Sequence, residues 1–133
     1  MVMRLLDSDT CIHMMRGNAR VLNRMFDCDA STLCFSVATL FELYGGLVVS
    51  KPQYLAEKKR KLTEFRDLVK MADFGPEEAH EAAKIKAELK GRGIGPYDLF
   101  IAATVRIHGW TLATSHVKEF SRVKNLRIED WNH

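Results

Sequence analysis

Short apolar runs alternating with longer segments of helical period constrain this chain more than any other feature. Residues 2–6 (VMRLL), Leu33–Phe35 and residues 110–113 read as buried strands, with further short strands at 69–74 and 126–128. Between the first two, Asp9 is placed to cap a helix carrying Cys11, Ile12, Met14 and Met15, which Gly17-Asn18 ends. Ser36 is the candidate N-cap of a helix bearing Val37, Leu40, Phe41 and Leu43, and Gly45-Gly46 weakens its end. Beyond Lys51-Pro52 an amphipathic segment carries Leu55, Leu62, Phe65, Leu68 and Val69. Gly75-Pro76 opens a further helix through Ala79, Ala82, Ile85 and Leu89, and the turn at 91–95 separates it from one containing Asp98. Strands alternating with helices predict an α/β fold, a compact domain with a mainly parallel central sheet flanked by helices. With no internal repeat and no linker-like stretch, residues 1–133 read as one domain.

Three acids stand against these apolar elements. Asp7 closes the first strand, Glu42 interrupts SVATLFELYGG, and Asp98 lies just inside GPYDLFIAATVRI. A carboxylate beside an apolar segment is costly unless hydrogen-bonded or metal-bound, so three of them suggest convergence on a divalent ion. The bland alternative is that each caps a turn or faces solvent. Glu42 resists that reading, because it lies six residues past Ser36, nearly two turns into its helix.

Charge and cysteine content narrow the function classes. Lys and Arg total 20 against 17 acids, and a net charge of +3 is too small to diagnose nucleic-acid binding. Local basic clusters matter more: KKRK at 58–61 reads as a solvated helix face or a binding surface, and Arg16, Lys84, Lys86, Arg92 and Arg122 are candidate phosphate contacts. Cysteines 11, 28 and 34 have no CxxC spacing and are expected to be reduced thiols without a catalytic role. Arg4 and Asp7 interrupt any secretory core, and no segment reaches the ~18 apolar residues of a membrane span. The expected setting is the cytoplasm, without membrane contact.

The blocks LLDSDTCI at 5–12, SVATLFELYGG at 36–46, IGPYDLFIAA at 94–103 and LATSHVKEFSRVKNLRIEDW at 112–131 resemble the PIN-domain ribonucleases, in particular the VapC toxins of toxin–antitoxin pairs. Their order and spacing, over nearly the whole chain, carry the resemblance. It implies a metal-dependent endoribonuclease, dimerisation, and inhibition by a cognate antitoxin. Asp7, Glu42 and Asp98 match the family's metal-binding acids, and Glu119 matches a later acid. The usual Asp-Thr-Asn is here Asp7-Ser8-Asp9, and His116, after Thr114 and Ser115, stands where relatives carry Asn or Asp. Ser8 either orients Asp7 or makes a turn contact, Asp9 either assists the site or caps its helix, and His116 either contacts phosphate or moves a proton.

An oxygen-rich donor set suits Mg2+ or Mn2+ rather than zinc. The resemblance implies water-mediated hydrolysis of an RNA phosphodiester with no nucleophilic side chain, in structured RNA and preferentially tRNA. Two alternatives remain at this level. A haloacid-dehalogenase-like phosphatase would use Asp7 as nucleophile, Asp9 as acid/base and Ser36 on phosphate. A non-catalytic PIN-like module would bind RNA or an antitoxin without cutting.

Overall fold

In the computed structural model, which describes residues 2–132, the first strand β1 (Arg4–Leu6) lies at the centre of a five-stranded parallel sheet. The chain continues through α1 (Ser8–Met15), α2 (Ala19–Phe26), a 3-10 turn (Ala30–Thr32), β2 (Leu33–Phe35), α3 (Val37–Val48), α4 (Pro52–Leu68) and β3 (Lys70–Met71). It then forms α5 (Pro76–Leu89), α6 (Pro96–His108), β4 (Thr111–Ala113), α7 (Val117–Phe120) and β5 (Arg127–Glu129). The strand order is β3-β2-β1-β4-β5, and every neighbouring pair is parallel. The expected mainly parallel α/β sheet is therefore present.

The pleat divides the core in two. Leu5, Cys34 and Leu112 face a layer built by α5 and α6 with Ile85, Ile101, Ala102 and Val105, closed by Phe120. Leu6, Phe35 and Ala113 face the opposite layer, where Cys11, Met14, Val21, Met25, Leu40, Leu62, Phe65 and Trp131 pack. Successive strand residues point to opposite faces, so the central strands serve both layers, and Leu5-Leu6, Leu33–Phe35 and Leu112-Ala113 are apolar and buried. Cys11 and Cys34 lie in these cores as reduced thiols, and Cys28 is also unpaired.

Several boundaries differ from the sequence expectation, each for a local reason. The side chain of Asp7, not Asp9, caps α1 by accepting from Thr10 N. Gly17 (φ 80°) and the Asn18 cap, whose side chain accepts from Val21 N at 3.1 Å, begin the unexpected helix α2 rather than only ending α1. The predicted strand at 69–74 shrinks to two residues because Val69 still closes α4 by donating to Phe65 O.

Gly45 and Gly46 do not end α3, which continues to Val48. Leu43 and Leu47 pack against the core on either side and carry the helix through both glycines. A Cβ at Gly45 would meet no atom within 4 Å. Gly45→Ala is therefore expected to raise stability by about 0.5–1 kcal/mol, through reduced chain entropy, as a higher urea midpoint at unchanged m-value. Among the described residues no helix is long and apolar enough to cross a membrane.

Candidate active site

Strand order fixes where a pocket forms. The chain winds outward from β1 through β2 to β3, then crosses back to β4 on the other side, so β1 and β4 flank the switch point of the sheet. Connections leave these two strands in opposite directions, opening a crevice outside their carboxyl ends. Asp7 directly follows β1 and Thr114 directly follows β4.

Asp7 is almost fully buried there. One carboxylate oxygen accepts from Thr10 N at 2.9 Å, and the other from the Thr114 hydroxyl. The Thr10 hydroxyl donates to Ala113 O at 3.1 Å, tying α1 to the end of β4. Burial pushes the Asp7 carboxyl above the usual carboxylate range, against the hydrogen bonds from Thr114 and Thr10.

Glu42 arrives from α3, which packs against α1 and α6. Its carboxyl is also raised, first by partial burial and then by the nearby charges of Asp98, Asp9 and Asp7, although the side chain as a whole reaches solvent. Ser8 opposes that shift by hydrogen bonding to Glu42, and it shares a 2.8 Å hydroxyl contact with buried Thr39. Ser8 thus serves Glu42 rather than orienting Asp7; the orienting hydroxyl is Thr114. Thr39 was not anticipated, although its place three residues before Glu42 puts both on one helix face.

Asp98 enters at the third residue of α6, after the Gly95 cap and Pro96. That first turn favours a negative charge. Burial and the Asp7 carboxylate outweigh this and hold the group above its ordinary range, while His116 draws it down. His116, at the head of α7, is bonded through Nε2 to Asp9, and its Nδ1 lies 3.9 Å from Glu119. The Asp9 hydrogen bond is the main reason its pKa is raised. All eight predicted side chains therefore gather at one end of the sheet, with Asp7, Glu42 and Asp98 within each other's electrostatic reach.

Among the described residues, no three His, Cys, Asp or Glu side chains stand close enough to enclose a metal ion as placed. The donor chemistry nevertheless fits a hard divalent cation: three mutually repelling carboxylates, one of them buried, are destabilised in a way that such a charge relieves. A cleft of about 300 Å3 leads away from Glu42 between Ile12, Leu43 and Leu62, with Arg16, Lys58 and Lys61 on its wall. The KKRK run is thus divided: Lys58 and Lys61 face the cleft, while Arg60 pairs with Glu57 and Glu64 on the helix surface. Lys84 lies near Glu81, and Arg122 donates to Gly93 O at 3.0 Å. Tyr97 stacks obliquely on Phe41, 5.5 Å between centroids, whereas Phe100 packs on Phe74.

The raised acids have a consequence for stability. A carboxyl whose folded pKa exceeds its unfolded value destabilises the ionised fold, so stability is lost as pH rises from about 4 through the raised folded value. In EDTA, Asp7→Asn is expected to be more stable than the wild type at pH 8 and to lose that advantage toward pH 4. Urea midpoints across that range measure the difference; a gap independent of pH would contradict the assignment.

The PIN-domain family model matches residues 5–126, and the chain belongs to that family. It is 32% identical over 130 residues to a Salmonella typhimurium protein named tRNA(fMet)-specific endonuclease VapC, covering 96% of each chain. A Haemophilus influenzae protein named Ribonuclease VapC2 is 32% identical over 133 residues, covering 98% of this chain and 99% of its own. The solved structure of DNA-bound VapBC from Salmonella typhimurium superposes with a TM-score of 0.88 at 31% identity, covering 98% and 99% of the two chains. Within the PIN-domain family, the chain is an endoribonuclease of the VapC kind. The phosphatase alternative falls with that membership, and Ser36 is occupied in capping α3 through Ala38 N.

Proposed function

We propose that this protein is the toxin of a toxin–antitoxin pair, a single-domain cytoplasmic enzyme that hydrolyses phosphodiester bonds in structured RNA, tRNA above all. The observation that supports this reading is the mutual electrostatic influence of Asp7, Glu42 and Asp98 near the switch point of the sheet. The substrate class is supported by the name of the Salmonella relative and the antitoxin by the VapBC complex.

In this reading Asp7, Glu42 and Asp98 hold Mg2+, with Mn2+ as a substitute, and Glu119 acts at the rim through water. The ion would supply charge for the phosphorane-like transition state and lower the pKa of attacking water. Thr114 and Thr10 fix Asp7, and Ser8 fixes Glu42, so that both carboxylates keep their aim when RNA enters. Arg16, Lys58 and Lys61 offset the repulsion between the acids and the phosphate backbone.

The same cleft suits an antitoxin segment whose apolar side chains sit between Leu43 and Leu62 and whose cation reaches Glu42. A homodimer would form through the exposed apolar stripe Val37, Phe41, Tyr44 and Val48 of α3, continued by Tyr97. These residues recur every three to four positions on one helix face.

The deciding experiment is copurification with the product of the neighbouring reading frame, separation, and incubation of the toxin with purified tRNA and ribosomal RNA. Cleavage with Mg2+ or Mn2+ that stops in EDTA and on adding back the partner is expected. A monomer that binds RNA but cuts neither substrate would support the non-catalytic alternative instead.

A further inference from the structure

Two of the positions at which the sequence departs from the motifs it resembles, Asp9 and His116, meet. They are separated by 107 residues, and His116 Nε2 is hydrogen-bonded to Asp9 Oδ2. On the other side of the ring, Nδ1 faces Glu119 Oε2 at 3.9 Å. The two nitrogens of an imidazole point outward from separate corners of one ring, so a single side chain spans two carboxylates. The backbone secures the ring: His116 N donates to Thr114 Oγ1 at 2.9 Å, and the Thr114 hydroxyl donates to Asp7. Among the described residues, His116 is the one basic side chain that pairs with any of Asp7, Asp9, Glu42, Asp98 or Glu119.

Two carboxylates on the rim of an acidic pocket are the kind of pair that a second divalent ion bridges in two-metal hydrolases. Here the imidazole already stands between them. With both ring nitrogens directed at carboxylates, neither is left to act as a metal ligand toward the pocket. We propose that the Asp9–His116–Glu119 bridge takes the place of a second divalent ion, so that the pocket accepts one ion and not two. This rests on the reading of Asp7, Glu42 and Asp98 as the ion-holding set. His116 is then a positioning residue, fixing Asp9 and Glu119 at the rim without itself touching the reacting phosphate.

Counting Mn2+ bound to the purified, antitoxin-free protein tests the bridge independently of activity. Free Mn2+ is followed by its electron paramagnetic resonance signal during titration, and folding by circular dichroism. Wild type is expected to bind one ion per chain. His116→Asn frees both rim acids and is expected to bind two, the second at least tenfold tighter than any second event in wild type. His116→Gln serves as the second variant should the first fold poorly. Two ions in wild type, or one in the folded His116 variants, would overturn the bridge. Asp98→Asn separates the two levels of the argument. If it leaves the affinity of the first ion unchanged, the ion-holding set itself is wrong; if it weakens the first ion while the His116 variants stay at one, only the bridge fails.

Discussion

Asp98→Asn is expected to lower the rate of RNA cleavage by at least about 100-fold, equivalent to roughly 2.7 kcal/mol of transition-state stabilisation. RNA affinity should stay within about threefold, because the contacts that hold the phosphate backbone lie on other residues. Asn keeps the shape of the side chain and removes its charge. The fold should tolerate it, since Asp98 is half-buried at the head of α6 and its carboxyl already sits above the usual range. The favourable interactions with the helix terminus, about 0.3–1 kcal/mol, and with His116 are lost, partly offset by relief from Asp7. The measurement is single-turnover cleavage at saturating Mg2+ beside RNA binding in EDTA. Wild-type turnover by a folded, ion-loaded variant would remove Asp98 from the site.

A second large effect lies far from the acids, at Trp131. This ring is almost wholly buried beneath the sheet, beside Leu6, Val21 and Met25 in the same core layer. Its indole N–H donates to Glu129 Oε1 at 3.1 Å, and Glu129 in turn pairs with Arg4 at 2.7 Å. The guanidinium of Arg24 stands 6.0 Å from the ring centre. Trp131→Ala is expected to cost about 3–5 kcal/mol, a large share of the ~5–15 kcal/mol typical of a domain. Trp131→Phe should recover most of the loss while leaving Glu129 without the indole donor. Chemical denaturation of both variants measures this, and a loss below about 1 kcal/mol in the alanine variant would mean that the layer closes without the ring.

The strands, and the placement of the three principal acids beside apolar elements, were legible in the sequence because they have short-range signatures. An apolar triplet such as LCF has to be buried on both faces, and Pro96 followed by Asp98 marks a helix start. Helix α2 escaped notice because its buried residues reduce to Val21 and Met25, and a two-residue stripe is too short to stand out from its Arg and Asn neighbours. The roles of Ser8 and Asp9 were set by partners remote in sequence, Thr39 and His116, which local reading cannot supply. Family resemblance pointed to the acids, but it offered no information on how a chain with His116 in place of Asn or Asp would arrange its rim.

The hydrogen bond from Thr114 to Asp7 spans 107 residues, and β1 is paired on one side by β4. Part of the pocket therefore comes from residues synthesised long after Asp7. At roughly 5–20 residues per second, the first carboxylate leaves the ribosome about 5–20 s ahead of the strand and threonine that orient it. During that interval the nascent chain carries acids without a crevice to collect them. The crevice around Asp7 is thereby assembled only once residues 111–114 have emerged to pair with β1 and to bond its carboxylate.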